Sequence, residues 1–291
     1  MRQTFTSKFA SVIARRSSDE AIANTSDATN SIRDCHDTLA MINHKIHFKN
    51  SFKNPNLQQP KNYKLKTLKM SYFQPEFLQF LKGLSENNSK AWFDEHRAEY
   101  EKYVKAPFKS FVEEMMVRIR QYESELNMNP RDCMFRINRD VRFSKNKNPY
   151  NVHVSTLFTT ANRKSEIPGF YVHFSHDKAH AGGGGWELSR ESLQKVRQEI
   201  AAFPDELNQL QNEPAFKKLY GEIKGEKNKV IPKEFKETFA VQPLVANKQF
   251  YYMADLPADV VLKDDLAEYI MEYYHAGANV NQFIKSVISE Q

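Results

Sequence analysis

The feature that most constrains the fold is a strand-like alternation that runs into four consecutive glycines. Apolar side chains occupy alternate positions at Phe170, Val172 and Phe174. This spacing is typical of a strand with one buried face. If residues 175–178 form a four-residue hairpin loop, His173 lies opposite His180 and the second strand carries the glycines. The stretch therefore predicts an antiparallel hairpin with one apolar face.

The glycine run, residues 182–185, has two interpretations. Glycine in a strand allows a neighbouring backbone or side chain to approach closely. The missing side chains also leave room for a ligand, in which case the glycines form the floor of a pocket. The residues predicted to form such a pocket are Tyr171, His173, Gly182, Gly183, Gly184, Gly185, Trp186 and Glu187. Glu187 acts as an acid or base only if a reacting group comes within hydrogen-bond reach.

Known catalytic and metal-binding patterns are not found. The glycine run matches neither GxxxxGK[ST] nor a GxGxxG that leads directly into a helix. No GxSxG or HExxH occurs, so the sequence identifies no catalytic residue and no cofactor. The two facing histidines, joined by His153 or Asp177, raise the alternative of a zinc site. We favour a surface histidine pair and predict no metal.

The densest charge lies in residues 131–147, which we call the basic segment. It holds six Lys and Arg residues against two Asp residues. Residues 134–143 alternate as a strand does, and Arg139 then shares a face with Phe135, Ile137, Val141 and Phe143. A guanidinium on an apolar face is costly unless it is paired. The residues predicted to bind an anion are Arg136, Arg139, Arg142, Lys145, Tyr150 and His153.

This concentration of charge favours a small ligand that carries phosphate or carboxylate, because arginine presents a planar fork to such groups. The chain would then be a binding protein or an enzyme. One alternative is a nucleic-acid-associated module, although the loop is too short to show interleaved aromatic residues. Another is a structural or interaction protein in which the arginines only brace the sheet.

Residues 1–69 differ in charge from the rest of the chain. They hold 12 Lys and Arg against 5 Asp and Glu, whereas residues 70–291 hold 30 against 31. The net charge of +6 therefore comes from the first segment. We predict that residues 1–69 form a disordered extension, with a start-site artefact or a transit-like segment as alternatives. We expect residues 70–291 to form a single domain.

Cysteine content and hydropathy indicate the compartment. Two cysteines, Cys35 and Cys133, make no disulfide framework and suit a reducing cytoplasm. No apolar run reaches the roughly 18 residues that a membrane span needs, so we predict no membrane partner.

Helical spacing of apolar residues flanks the predicted strands on both sides. Helices are expected in residues 72–126, with Ser89 as an N-cap, and from Ser189 to the C-terminus, with a possible break at Gly277. Residues 248–254, which include FYYM, read as one more strand. The predicted fold is α+β, with a mostly antiparallel sheet flanked by N-terminal and C-terminal helices.

Several motifs in order resemble one family. FRINRDVRFSKNKNPYNVH, PGFYVHF, AGGGGWE, LQKVRQEIAAFP and LPADVVLKDDLAEYI are similar to the signature of the domain of unknown function 2461 family, which is widespread in bacteria. The resemblance covers about residues 73–288 and implies a single α+β domain. It supplies no substrate and no catalytic residue, and residues 1–69 lie outside it.

Overall fold

The structure, a computed structural model, describes residues 71–289. These residues belong to one compact unit. They confirm the predicted α+β fold, in which an antiparallel sheet is flanked by N-terminal and C-terminal helices. The predicted extension, residues 1–69, lies outside the described residues. Within residues 71–289, no helix is both long enough and apolar enough to cross a membrane.

The N-terminal third is a helical layer, as the apolar spacing predicts. Its elements are α1 (Pro75–Glu86), α2 (Lys90–Glu95), α3 (Arg97–Glu99), a π-helical turn (Tyr100–Lys105) and α4 (Ala106–Ile119). Pro75 at the start of α1 is well tolerated because its missing N–H has no partner in a first turn, whereas Pro107 lies where the π-helical turn passes directly into α4. The predicted cap is confirmed, since the Ser89 hydroxyl accepts a hydrogen bond from Trp92 N at 3.3 Å.

Four antiparallel strands form one sheet in the order β1-β2-β3-β4. They are β1 (His153–Phe158), β2 (Gly169–Ser175), β3 (Lys178–Gly185) and β4 (Phe250–Pro257). The predicted hairpin register is confirmed, because Phe174 pairs with Ala179 and His173 pairs with His180. The predicted FYYM strand is β4, and it pairs with the glycine-rich β3.

One face of the sheet is the hydrophobic core. Phe170, Val172 and Phe174 are at most 1% exposed. Phe174 packs edge-on against Phe73 and Phe111, with ring centroids 5.7 and 5.3 Å away. Because side chains alternate along a strand, the residues between them project from the opposite face of the sheet. We call that opposite side the open face.

The C-terminal half supplies the rest of the core. Its helices are α6 (Arg190–Ala202), α7 (Pro204–Gln211), α8 (Pro214–Leu219), α9 (Lys236–Val241) and α10 (Leu266–Ser289), after the single turn α5 (Pro130–Cys133). Short 3-10 helices occupy Lys233–Phe235, Pro243–Ala246 and Ala258–Leu262. The break expected at Gly277 is wrong, because α10 runs through it. Gly277 instead lets the buried Tyr252 ring lie against the helix, with Tyr252 Oη donating to Gly277 O at 2.9 Å.

The strand predicted over residues 134–143 is also wrong. Within residues 134–143 the described backbone makes two isolated bridges, Met134 to Thr156 and Asn138 to Tyr150, and no strand. Of the four residues expected on one apolar face, Ile137 is 8% exposed whereas Phe143 is 96% exposed. Without a shared buried face the alternation cannot hold a continuous ladder, and Pro149 has no N–H to donate.

Because this stretch is not a strand, Arg139 does not lie on an apolar face as expected. The side chain is half-buried in a loop rather than inserted in a core. Its Nη1 donates to Asn148 O at 3.2 Å, and its Nη2 lies 3.5 Å from Ser144 Oγ. Arg139 therefore braces the loop that follows it.

Candidate functional site

The open face of the sheet carries a cavity of about 720 Å³. Strands β1 to β4 form its floor, the loop before β2 forms one wall, and the segment between β3 and α6 forms the other. The cavity is lined by Phe135, Leu157, Arg163, Lys164, Ser165, Glu166, Ile167, Gly169, Tyr171, Gly183, Gly184, Trp186, Glu187, Leu188, Ser189, Tyr251 and Met253.

Glycine is required in the floor by close approach and by backbone conformation. Gly184 has a φ of 103°, which residues with a side chain rarely adopt. A Cβ atom there would lie 2.2 Å from Phe250 O of the neighbouring strand. Asn281 of α10 fixes this corner, since its Oδ1 accepts from Gly184 N at 2.8 Å and its Nδ2 donates to Gly169 O at 3.1 Å. The glycine run thus has the close approach that the sequence predicts, and Gly183 and Gly184 also line the cavity.

Aromatic rings form much of the cavity wall. Trp186 and Tyr251 meet edge to face with centroids 4.6 Å apart, and Phe135 meets Tyr171 at 6.2 Å. Trp186 is 57% exposed and Phe135 is 41% exposed. A ligand that covers these exposed rings and removes them from water binds more favourably, because burial of apolar surface lowers the free energy.

Two cations lie at the same cavity. Arg163 Nη1 donates to Met134 O at 2.8 Å, and its guanidinium carbon lies 4.8 Å from the Phe135 ring centroid. This contact holds the guanidinium against the aromatic wall, as in a cation–π pair. Lys164 follows directly. Within the part of the chain that the structure describes, neither Arg163 nor Lys164 forms an ion pair.

The two acidic residues that line the cavity, Glu166 and Glu187, do not pair with these cations. Glu166 accepts a hydrogen bond from Ser189 N at 2.6 Å, at the start of α6. Burial alone raises the pKa of Glu166, but hydrogen bonds from the Ser189 and Ser192 groups outweigh it and hold the pKa below its ordinary value. The carboxylate therefore complements the positive end of a helix. Glu187 is exposed at the rim.

Three histidines lie side by side on the open face, next to the cavity. The His153 and His173 rings stack at 4.1 Å, and His173 meets His180 edge-on at 5.0 Å. Tyr171 Oη lies 3.2 Å from His173 Nδ1, and His180 Nδ1 lies 2.8 Å from Asp255 Oδ1. The row joins the lining residue Tyr171 to an exposed carboxylate.

Two histidines of this row, His153 and His173, have pKa values below the ordinary value. Burial first, and then repulsion from protonated His153 and His180, lowers the pKa of His173 to about 3. Burial, followed by His180 and Arg139, also lowers the pKa of His153. Stacked rings do not converge on one point, and in residues 71–289 no three His, Cys, Asp or Glu side chains are grouped to hold a metal ion.

The residues predicted to bind an anion do not come together at the cavity. Arg136, Arg142 and Lys145 are exposed on the basic segment, and Arg142 pairs with Asp140 at 2.6 Å. Tyr150 is buried and stacks on Phe93 with centroids 4.2 Å apart. Two of the six are brought near one another, since Arg139 lies close enough to His153 to influence its pKa.

The residues predicted to form a pocket are divided. Tyr171, Gly183, Gly184, Trp186 and Glu187 line the cavity, whereas His173, Gly182 and Gly185 do not. His173 lies in the histidine row. A Cβ atom at Gly182 would lie 2.2 Å from Tyr252 O, so this glycine allows β4 to approach.

Sequence reasoning missed the wall formed by residues 163–167 and the two β4 side chains, Tyr251 and Met253. One signal was available for β4. Tyr251 and Met253 occupy alternate positions in a strand that the sequence does predict, so both had to share a face. Nothing in the sequence indicates which strand β4 joins, and no local pattern marks Arg163 as a lining residue.

Fold and site together define an α+β domain whose sheet is covered by helices on one face and carries a ligand-sized cavity on the other. The chain belongs to the DUF2461 family. The family model described as "Conserved hypothetical protein (DUF2461)" matches residues 76–283. A search of curated proteins and a search of solved structures each gave no match.

Proposed function

We propose that this protein binds a small molecule with a planar apolar part and an anionic group in the open-face cavity. The observation that carries the proposal is the combination of aromatic walls with the Arg163 guanidinium in one cavity of about 720 Å³. Cavities that bind small ligands usually measure about 300–1,000 Å³ and combine apolar walls with a few polar groups.

The anionic group is assigned from the charges that reach the cavity. Arg163 is anchored through one Nη to Met134 O, so its planar fork is held at the wall. Glu166 engages the N-terminus of α6 and does not pair with Arg163. A carboxylate or phosphate in the cavity would thus meet a cation without displacing a protein acid. The basic segment, which the sequence favours for this role, contributes only Phe135 to the lining.

The test is a binding screen with matched ligands. Nucleoside monophosphates and aromatic carboxylates are compared with the neutral nucleosides and amides of the same shape, using thermal shift and tryptophan fluorescence, to which Trp92 and Trp186 both contribute. We expect anionic members to raise the melting temperature more than their neutral partners. Arg163→Ala should weaken binding of the anionic ligand by roughly 10- to 100-fold, the usual loss when a charge-assisted hydrogen bond is removed.

Arg136→Ala is the matched control, because Arg136 is an exposed arginine outside the cavity. It should leave binding unchanged. The proposal is wrong if no anionic ligand stabilises the protein, or if Arg136→Ala weakens binding while Arg163→Ala does not. Circular dichroism of both variants checks that the fold is kept.

A further inference from the structure

The basic segment displays an aromatic ring to solvent. Phe143 is 96% exposed, although a phenylalanine of a folded domain is normally buried. Arg142 lies beside it, with its guanidinium carbon 5.9 Å from the ring centroid. The sequence expectation placed Phe143 on an apolar face, so this exposed ring is a feature that only the structure reveals.

The loop that carries Phe143 is braced from within. Lys147 Nζ donates to Val141 O at 3.1 Å, and Asn148 N donates to Asn146 Oδ1 at 2.9 Å. Arg139 Nη1 also donates to Asn148 O at 3.2 Å. Bracing by side chains reduces the ordering entropy that a partner must overcome, so the ring is presented in advance of binding.

Positive charge surrounds the ring. Residues 136–147 hold five Lys and Arg side chains and a single acid, Asp140. Asp140 is engaged by Arg142, whose Nε and Nη2 donate to it at 3.0 and 2.6 Å. The potential at the tip of the loop is therefore positive, and it is complementary to a polyanion.

We propose that this loop binds single-stranded nucleic acid, with Phe143 stacking on an unpaired base while the neighbouring cations bind phosphates. Aromatic rings flanked by basic residues are the usual platform for single strands, because every base has a face to stack. The loop is separate from the cavity, since Phe143 and the cations around it do not line it.

The observations favour a nucleic acid over an anionic membrane. A bilayer rewards apolar area, and this loop offers one ring, because Ile137 is 8% exposed and Val141 is half-buried. One ring suffices for a base. A duplex is disfavoured as well, since its bases are already stacked on one another.

The experiment measures binding of a fluorescein-labelled single-stranded oligonucleotide to the full chain by anisotropy. Residues 1–69 carry an excess of positive charge, so they are expected to add binding that does not depend on Phe143. The comparison of variants within the full chain isolates the loop. Phe143→Ala should weaken binding by roughly 5- to 150-fold, the range for loss of one stacked base.

Phe143→Trp retains a stacking ring and should bind within about threefold of the wild type. Its added indole should lose fluorescence on binding, beyond any change in Trp92 and Trp186. Val230→Ala, at another apolar side chain that is 81% exposed, is the matched control and should leave affinity unchanged.

Three results would overturn the proposal. The first is that the wild-type chain fails to bind the oligonucleotide, and the second is that Phe143→Ala binds it as tightly as the wild type does. The third is that Phe143→Ala loses binding to phosphatidylserine vesicles while its oligonucleotide binding is unchanged, which would assign the loop to membranes. A duplex of the same sequence should be insensitive to Phe143→Ala, because it offers no unpaired base.

Discussion

Substitution of Gly277 by alanine has two opposing effects on stability. Alanine has the higher helix propensity, but its Cβ atom must fit into a packed core. Gly277 lies within the long helix α10, where alanine is intrinsically favoured. A Cβ atom at this position would lie 2.3 Å from both Cε2 and Oη of Tyr252 and 2.4 Å from Cζ. Real Cβ atoms do not approach a ring so closely, so either the helix or the ring must move.

The two effects differ enough in size to fix the sign. Alanine in place of glycine stabilises a helix interior by about 0.5–1 kcal/mol. Overpacking of a core costs about 1–3 kcal/mol. We expect the upper part of that range, because Tyr252 is fully buried and its hydroxyl is bonded to Gly277 O. The net result is a loss of about 2 kcal/mol in the free energy of unfolding.

Urea unfolding followed by circular dichroism measures this loss. Ala278→Gly, at the half-buried neighbour, is the control for helix propensity and should destabilise by about 0.5–1 kcal/mol. In a Tyr252→Ala background the ring is gone, so Gly277→Ala should become stabilising. A Gly277→Ala protein that is as stable as the wild type would refute the packing argument.

Three further substitutions test other contacts. Arg197→Met should lower the free energy of unfolding in urea by about 2–4 kcal/mol, because the buried guanidinium donates to Val245 O and Asn247 O. Arg197→Lys should recover only part of this loss. His173 has a folded pKa of about 3 against 6.5 ordinarily, so the unfolded state binds more protons between these values and stability falls as the pH is lowered. His173→Gln should flatten that fall by up to about 1.4 kcal/mol per pH unit, as measured by urea unfolding across the pH range. Glu166 has a lowered pKa, so its contribution is present above pH 4.5 and is lost as the pH falls through the folded pKa. Glu166→Gln should destabilise by up to about 1 kcal/mol at neutral pH, and thermal unfolding should show the difference closing in acid.

Elements with a strong local period are predictable from the sequence. The hairpin of β2 and β3 is one, because the alternation of Phe170, Val172 and Phe174 and the length of the loop fix both the faces and the register. The helix that follows Ser189 is another, since a capping serine and apolar spacing agree.

The basic segment shows where such reasoning fails. Its apolar residues alternate as those of β2 do, except at Arg139, but a strand needs a partner along its whole length as well as a pattern. Met134 and Asn138 each find one bridge, and the apolar Phe143 is left in solvent. Whether an alternating stretch is buried depends on tertiary packing, which the local sequence does not encode.

The cavity is only partly predictable for a related reason. Its glycines and Trp186 come from a single stretch, and the sequence places them together. Arg163 and Tyr251 are distant in the chain. Tyr251 reaches the cavity because β4 returns to pair with β3 after 64 intervening residues, 186–249. Non-local pairing of this kind has no signal in spacing or composition.

The packing of Tyr252 between two glycines also determines how β4 can dock. Gly183 lies opposite Tyr252 in the register, and Gly277 faces the same ring from α10. Four of the eight residues of β3 are glycines, so half of this strand has no side chain that could help to fix its alignment with β4. A shift by one residue would turn Tyr252 to the open face and drive Tyr251 into the core, where the space is shaped for a ring bonded to Gly277 O. This single tyrosine therefore favours the observed alignment of β4 over a slip by one residue.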